Sequence, residues 1–284
     1  MAMFNKISIE DVQKYWNHRP CNIRHSDKPV GTKEYFDEVE CRKYFVEPHI
    51  PVFADFDKWY GKKVLEIGCG IGTDTINFAK SGAKVTAVEY SKTSLEIAKT
   101  RAEVLRVGLW RGSIEFYHAN AEELSKTVPV EKYDLIYSFG VLHHTPHPEK
   151  AISELKKYMG PNSELRIMMY HRNSWKVLSM LVSDRLGGGA DEIIARHSEA
   201  QTGCPVTYSY TKKSIRKLLC GFRINNIYVD HIFPYKIDDY KKYKYTKVWY
   251  FRWIPRPLFR FLEKRLGWHL MISASLQSRQ EKAL

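Results

Sequence analysis

Two rhythms of apolar and polar positions alternate along this chain between Lys62 and His171. Lys63-Val64-Leu65-Glu66-Ile67 reads as a buried strand, ended by Gly68-Cys69-Gly70-Ile71-Gly72. Thr73 to Lys80 follows as a helix with Ile76 and Ala79 inward, and Gly82 stops it. Lys84-Val85-Thr86-Ala87-Val88 is a second strand. Ser91 is placed to cap the next helix, on which Leu95, Ala98, Ala102 and Leu105 recur at helical spacing. Ile114 to Tyr117 is a third strand, Asp134 to Ser138 a fourth, Glu149 to Met159 a helix and Glu164 to Tyr170 a fifth strand. Strands alternating with helices predict an α/β fold with a parallel sheet covered on both faces.

The flanks read differently. Residues 1–57 form a separate polar and aromatic segment, with Thr32 capping a helix through Phe45 and Pro48 and Pro51 at its exit. Residues 171–211 read as irregular, punctuated by Gly187-Gly188-Gly189 and Gly203. Thr211 to Leu219 is a short helix, Phe222 to Phe233 a sixth strand and Trp268 to Ser275 a last one. Between those strands lies an aromatic, basic insertion, 234–267, ending in a helix from Pro255 to Leu266 closed by Gly267.

Composition narrows the class. A chain of 284 residues suggests one large domain, or one domain with a substantial cap. Its 44% hydrophobic and 13% aromatic content belongs to a chain with a real core, not a disordered one. No run approaches the roughly 18 consecutive apolar residues of a membrane span. Acids at Glu10 and Asp11, where a signal peptide has its apolar stretch, lead us to expect a cytoplasmic protein. Five scattered cysteines without a CxxC pair fit reduced thiols better than a disulfide framework or a zinc site. Of the net charge of +13, residues 171–227 contribute +5 and residues 228–284 contribute +7. Such an excess attracts anionic partners and says little about fold.

The glycine turn between the first strand and its helix lets backbone N–H groups approach a ligand closely. A dinucleotide fold has GxGxxG; here the third glycine comes early, at Gly72, and Thr73 stands where the last should be, which tells against NAD or FAD. Glu89 ends the second strand 21 residues after Gly68, where a carboxylate can accept both hydroxyls of a ribose. Val64 to Thr73 (VLEIGCGIGT), with Glu89, resembles the first two motifs of the class I S-adenosylmethionine-dependent methyltransferases. Ala119 to Leu124 (ANAEEL) is similar to that family's segment after the third strand, and Tyr133 to Thr145 (YDLIYSFGVLHHT) to its fourth-strand motif.

The resemblance implies a seven-stranded, Rossmann-like doubly wound sheet with the last strand antiparallel. Residues 1–57 would be an N-terminal lid and 58–284 the methyltransferase domain, with acceptor-side insertions at 171–211 and 234–267. The cofactor it implies is S-adenosyl-L-methionine. By the same resemblance, the turn Gly68, Cys69, Gly70, Gly72 and Thr73 would hold the methionine half, and Glu66 would orient its amino group. Glu89 would hold the ribose hydroxyls and Tyr90 would pack on the adenine. Asn120, Ala121 and Glu122 would flank that base, and Phe139 would lie near the methionine amino end. Asn120 departs from the Asp of many relatives, although its amide oxygen can accept the same contact.

Methyl transfer from a sulfonium depends mainly on alignment, worth about 7–11 kcal/mol in favourable cases. A general base adds roughly 10²–10⁴-fold, and only where the acceptor must lose a proton. His144 is the first candidate base and His143 the second, with His147 nearby; a packed structural ring is the competing reading for either. HHxxH has no carboxylate or cysteine at ligand spacing, so no metal is expected. The polar tract Arg196 to Pro205 reads either as an acceptor-recognition loop or as ordinary surface. Tyr15, Trp16, Arg19, His25 and Tyr35 are candidates for the lid.

From Phe233 to Phe261 there are 11 aromatics in 29 residues, interleaved with eight lysines and arginines. On the last predicted helix Arg256, Arg260 and Lys264 form a cationic stripe beside an apolar one of Phe259, Leu262 and Leu266. This insertion reads first as a cap recognising an anionic acceptor. A peripheral contact with an anionic membrane or with RNA or DNA are the other readings. Ser138-Phe139-Gly140-Val141 replaces the Asn/Asp-Pro-Pro-aromatic motif of nucleic-acid amino methyltransferases, which favours a small or lipid-linked acceptor. The expectation is methylation of O, N or S of an anionic small molecule or envelope precursor. The alternative is an RNA- or DNA-directed methyltransferase, or a non-catalytic protein that keeps the cofactor fold and tethers nucleic acid.

Overall fold

Val64, Leu65 and Ile67 are all buried in β1 (Lys63–Ile67), which therefore has helices on both faces, as a central parallel strand requires. The computed structural model describes residues 4, 6–201 and 203–277, without the side chains of 199–201. The frame continues through α4 (Thr73–Lys80), β2 (Lys84–Glu89), α5 (Lys92–Val104), β3 (Ser113–His118), β4 (Tyr133–Phe139), α6 (Pro148–Lys157) and β5 (Met159–Tyr170). Ahead of it lie α1 (Ile9–His18), α2 (Lys33–Val46) and α3 (His49–Ala54). The sheet has seven strands in the order β3-β2-β1-β4-β5-β7-β6, where β6 is Phe222–Asp230 and β7 is His269–Leu276. Strand β7 runs antiparallel to β5 and β6, and the other pairs are parallel. The expected Rossmann-like fold is the observed one. Strand order reverses between β1 and β4, so the crevice at their carboxyl ends is where a ligand binds in such a sheet.

Local signals set most boundaries. Thr32 accepts the Tyr35 N–H at 3.2 Å and Ser91 the Ser94 N–H at 3.1 Å, so both serve as the caps their positions suggest. The fully buried Arg101 of α5 donates to Thr73 Oγ1 at 2.7 Å and to Glu40 at 2.9 Å, locking α2 onto the start of α4.

The segment 171–211 corrects the sequence reading, because it contains two helices. Helix α7 (Trp175–Ser183) starts at Ser174, which accepts the Val177 N–H, and α8 spans Ala190–Gln201. The first is apolar nearly all round and the second polar apart from buried Ile193 and Ile194, so neither shows a clean helical stripe. The glycine triplet is the link between them. Helix α9 (Lys212–Leu218) follows, with a capping box at Thr211.

The insertion after β6 holds α10 (Ile237–Tyr240), α11 (Trp249–Arg252) and α12 (Arg256–Leu266). Its tyrosines face inward onto the N-terminal segment: the Arg42 guanidinium lies 4.1 Å from the Tyr240 ring and 4.2 Å from Tyr243. His25 Nε2 meets Tyr240 Oη at 2.9 Å, and the Tyr35 hydroxyl donates to Ile23 O. His25 and Tyr35 are thus braces, not lid contacts. The expected cationic stripe on α12 is broken, since Arg260 donates to Asp230 at 3.1 Å and to Glu263 at 2.7 Å while Arg256 and Lys264 stay exposed. Gly267 follows α12 at a close approach that only glycine fits: a Cβ there would lie 2.2 Å from Asp230 O.

Candidate active site

At the carboxyl ends of β1, β2 and β4, a cavity opens between the glycine turn and α1. Gly68, Glu89, Tyr90, Asn120, Ala121 and His144 line it, with Ile67, Val88, Ala119 and Val141 as apolar wall. Helix α1 forms the other side through Ile9, Val12, Gln13 and Trp16, four positions on one helical face. Gln13 Nε2 donates to Tyr90 O at 2.7 Å, and Asn17 Oδ1 accepts the Ser91 hydroxyl at 3.0 Å. These bonds fasten α1 across the cavity mouth, and the Tyr15 hydroxyl reaches Gly203 O on the far side. Gln13 escaped the sequence reading, although the spacing Ile9, Val12, Trp16 after a Ser8 cap was available as a signal.

Glu89 organises the turn. Its Oε2 accepts the Gly70 N–H at 2.8 Å and its Oε1 accepts the Ser91 N–H at 2.8 Å. Burial pushes its pKa up, and the backbone N–H groups oppose that by stabilising the anion. Gly70 has φ 56°, and a Cβ there would meet nothing within 4 Å, so the left-handed backbone is what calls for glycine. Tyr90 stacks on His118 with centroids 5.6 Å apart.

His144 Nδ1 lies 2.8 Å from Val206 O, which accepts from it, so the proton sits on Nδ1 and the lone pair on Nε2. Trp16 packs edge-on against this ring at 5.3 Å. His143 is placed differently. It is fully buried against Tyr170 at 3.7 Å and does not line the cavity, and burial followed by the neighbouring His144 holds it well below the usual imidazole range.

Several sequence-predicted positions also make contacts within the chain. The Thr73 hydroxyl is taken by Arg101. Gly72 packs on Ala98, and the Cys69 thiol is buried. Glu122 accepts from the Thr145 hydroxyl and from the His147 N–H at 2.8 Å, tying the turn after β3 to the turn after β4. Asn120 Oδ1 accepts the Glu122 N–H at 2.9 Å. Phe139 faces His269 at 5.5 Å and Phe53 at 6.3 Å, away from the cavity lining. Of the tract Arg196 to Pro205, Arg196 and His197 bind Asp184 at 2.7 and 2.8 Å, and Thr202 lies outside the described residues.

The family described as "Methyltransferase domain" matches residues 60–216, more than half of the chain. The chain belongs to that methyltransferase family. It is 30% identical over 135 residues to the ubiquinone biosynthesis O-methyltransferase of Photobacterium profundum, over 48% of this chain and 52% of that protein. The mitochondrial ubiquinone biosynthesis O-methyltransferase of Schizosaccharomyces pombe is 33% identical over 114 residues, 40% of each chain. The chain thus spans about half the length of the curated relatives it matches. Magnesium protoporphyrin IX methyltransferase from Synechocystis PCC 6803, solved with bound S-adenosylmethionine, shares the fold at a TM-score of 0.54 and 18% identity, over 94% of this chain and 95% of that one. The methyl donor expected of such a domain is S-adenosylmethionine.

The cavity of this methyltransferase fits that cofactor chemically. Each Glu89 oxygen accepts one backbone N–H and keeps a lone pair for a ribose hydroxyl, and the apolar wall suits a purine ring. Glu66 stands behind the turn, its carboxylate accepting from the Thr75 hydroxyl and lying outside the cavity lining. Burial first, and the nearby Asp74 carboxylate next, raise its pKa from 4.5 to about 8. The unfolded chain therefore loses this proton before the folded chain does, so the contribution of Glu66 to stability is lost as pH rises from about 5 to about 8. The stability difference between wild type and Glu66→Gln, measured by urea unfolding, should shift against the wild type across that range; a difference independent of pH would contradict the assignment.

Proposed function

We propose that this methyltransferase O-methylates a small hydroxyl compound, anionic or lipid-linked. S-adenosylmethionine, when bound, supplies a methyl group on a sulfonium whose thioether leaves without needing a proton. Glu89 would hold the ribose hydroxyls, the Gly68–Gly72 turn the methionine half, and Tyr90, Asn120 and Ala121 the adenine. Helix α1 excludes water by closing the cavity through Gln13 and Trp16.

The orientation of His144 supports an acceptor that must lose a proton. Val206 O fixes its tautomer, so Nε2 is the atom able to take the proton that a hydroxyl must lose. The relatives are O-methyltransferases by name, which supports oxygen as that acceptor atom. On a panel of phenols and catechols, with and without a prenyl tail, we expect release of S-adenosylhomocysteine. His144→Ala should lower kcat by about 10²–10⁴-fold while leaving the affinity for S-adenosylmethionine unchanged. Full turnover in that variant would refute the base.

One exposed face supports a lipid-linked acceptor. Trp249 and Trp253 are 75% and 80% exposed, and Leu178 and Val182 of α7 are 52% and 79% exposed. Trp175 meets Tyr250 at 5.6 Å, which joins α7 to α11, and Lys247, Arg252 and Arg256 are exposed nearby in the chain. Tryptophan beside basic residues is the composition of an interfacial contact with anionic lipid. Tyr240 and Tyr243 pack on the Arg42 guanidinium, which takes these two rings from stacking with bases. Phosphatidylglycerol vesicles should co-sediment the protein and phosphatidylcholine vesicles should not, and Trp249→Ser with Trp253→Ser should abolish the difference. Equal sedimentation of wild type and double variant would contradict the contact.

A further inference from the structure

Outside the cofactor cavity, three distant segments bring imidazoles together beyond Phe139. His49 opens α3, His231 follows β6 and His269 opens β7, and all three are buried. Their ring centroids lie 4.7–5.1 Å apart. Glu47 completes the group, with Oε1 3.6 Å from His269 Nε2. One ligand atom from each of Glu47, His231 and His269 lies within 4.8 Å of the others.

The bonding of these groups is unequal. His49 Nε2 and His269 Nδ1 are 2.8 Å apart and share a proton, which leaves His269 Nε2 turned toward Glu47. The His231 ring is buried, and its backbone N–H donates to Asp230 Oδ1 at 2.7 Å. Its backbone is left-handed at φ 72°, a conformation non-glycine residues adopt rarely and chiefly where the surroundings impose it. That backbone sets the ring beside His49 and His269, with centroids 5.1 and 4.7 Å away.

We propose that Glu47, His231 and His269 bind one divalent first-row transition ion, of the zinc or iron(II) type. Two imidazoles and one carboxylate form a ligand set that such ions accept, with coordination positions left open for an exogenous oxygen. His49 would be the positioning residue: by accepting from His269 Nδ1–H it directs the Nε2 lone pair of that ring to the ion. Phe139 and Tyr170 wall the group at 5.5 and 6.4 Å from the His269 ring, on the side of the fourth and fifth strands. The site differs from the His143, His144 and His147 cluster of the sequence, and it stands whether or not O-methylation is the reaction.

The test uses the full chain, free of any affinity tag and stripped with a chelator. Titration with cobalt(II) should saturate at about one ion per chain, with the visible absorption of an imidazole-ligated ion. Glu47→Gln and His231→Asn should each abolish saturation, and His49→Phe should weaken it by about 10–100-fold. Glu47 is partly exposed, so its variant keeps the reading available if a histidine variant fails to fold. S-adenosylmethionine affinity, measured on the same samples, reports the cofactor site separately. Absence of saturable cobalt binding in the wild type, or binding that survives both Glu47→Gln and His231→Asn, would overturn the proposal.

Discussion

Glu89 accepts backbone N–H groups from Gly70 and Ser91 through its two oxygens, so one half-buried carboxylate couples the first β–α turn to the second. The geometry of the site follows from this pair of bonds. Gly70 is held with its left-handed backbone toward open space, and Ser91 is held as the cap of α5. Helix α5 in turn presents Arg101, which anchors Thr73 at the start of α4 and Glu40 on α2. Burying a carboxylate is unfavourable unless it is well bonded. Charge-assisted bonds to two backbone groups offset that cost and still leave lone pairs for a diol. The same residue therefore stabilises the turn and presents the acceptor a ribose requires.

The lid depends on the same corner of the molecule. Gln13 bonds to Tyr90 O and Asn17 to Ser91, the two residues that follow Glu89. Helix α1 is thus attached where the cofactor turn is most ordered, and its apolar face reaches the cavity from there. On the opposite side, Val206 O orients His144, and the Tyr208 N–H is bonded to His143 O at 2.9 Å. On the proposed reading, the segment after α8 sets the acceptor side of the cavity, while the frame from β1 to β4 sets the cofactor side. Sequence divergence in such an enzyme can change the acceptor without disturbing the donor.

The frame was legible because central strands buried on both faces appear as short apolar runs, and because glycine, Ser91 and Thr32 act locally. Glu89 could be located by spacing alone. The helices in 171–211 were hidden because α7 is apolar on its exposed side as well and α8 lacks a sustained apolar stripe. Thr73 and Glu122 matched a motif by position, but their side chains are claimed by Arg101 and Thr145, which no motif spacing reveals. The basic character of the insertion was equally misleading in part, since Arg260 is neutralised by Asp230 thirty residues earlier. The imidazoles of His49, His231 and His269 meet only through the order of β7 beside β5 and β6, so linear spacing could not bring them together. The net charge of +13 therefore divides into cations spent on packing and ion pairs, such as Arg42 and Arg260, and exposed ones around α11 and α12 that remain available to a partner.

The claim that one carboxylate both shapes the turn and receives the ribose is tested most directly by calorimetric titration of S-adenosylmethionine into the wild type, Glu89→Gln and Glu89→Ala. Loss of charged hydrogen bonds worth about 1.5–3 kcal/mol predicts an affinity lower by roughly 10–100-fold in Glu89→Gln and lower still in Glu89→Ala. Wild-type affinity in a folded Glu89→Ala protein would contradict the account.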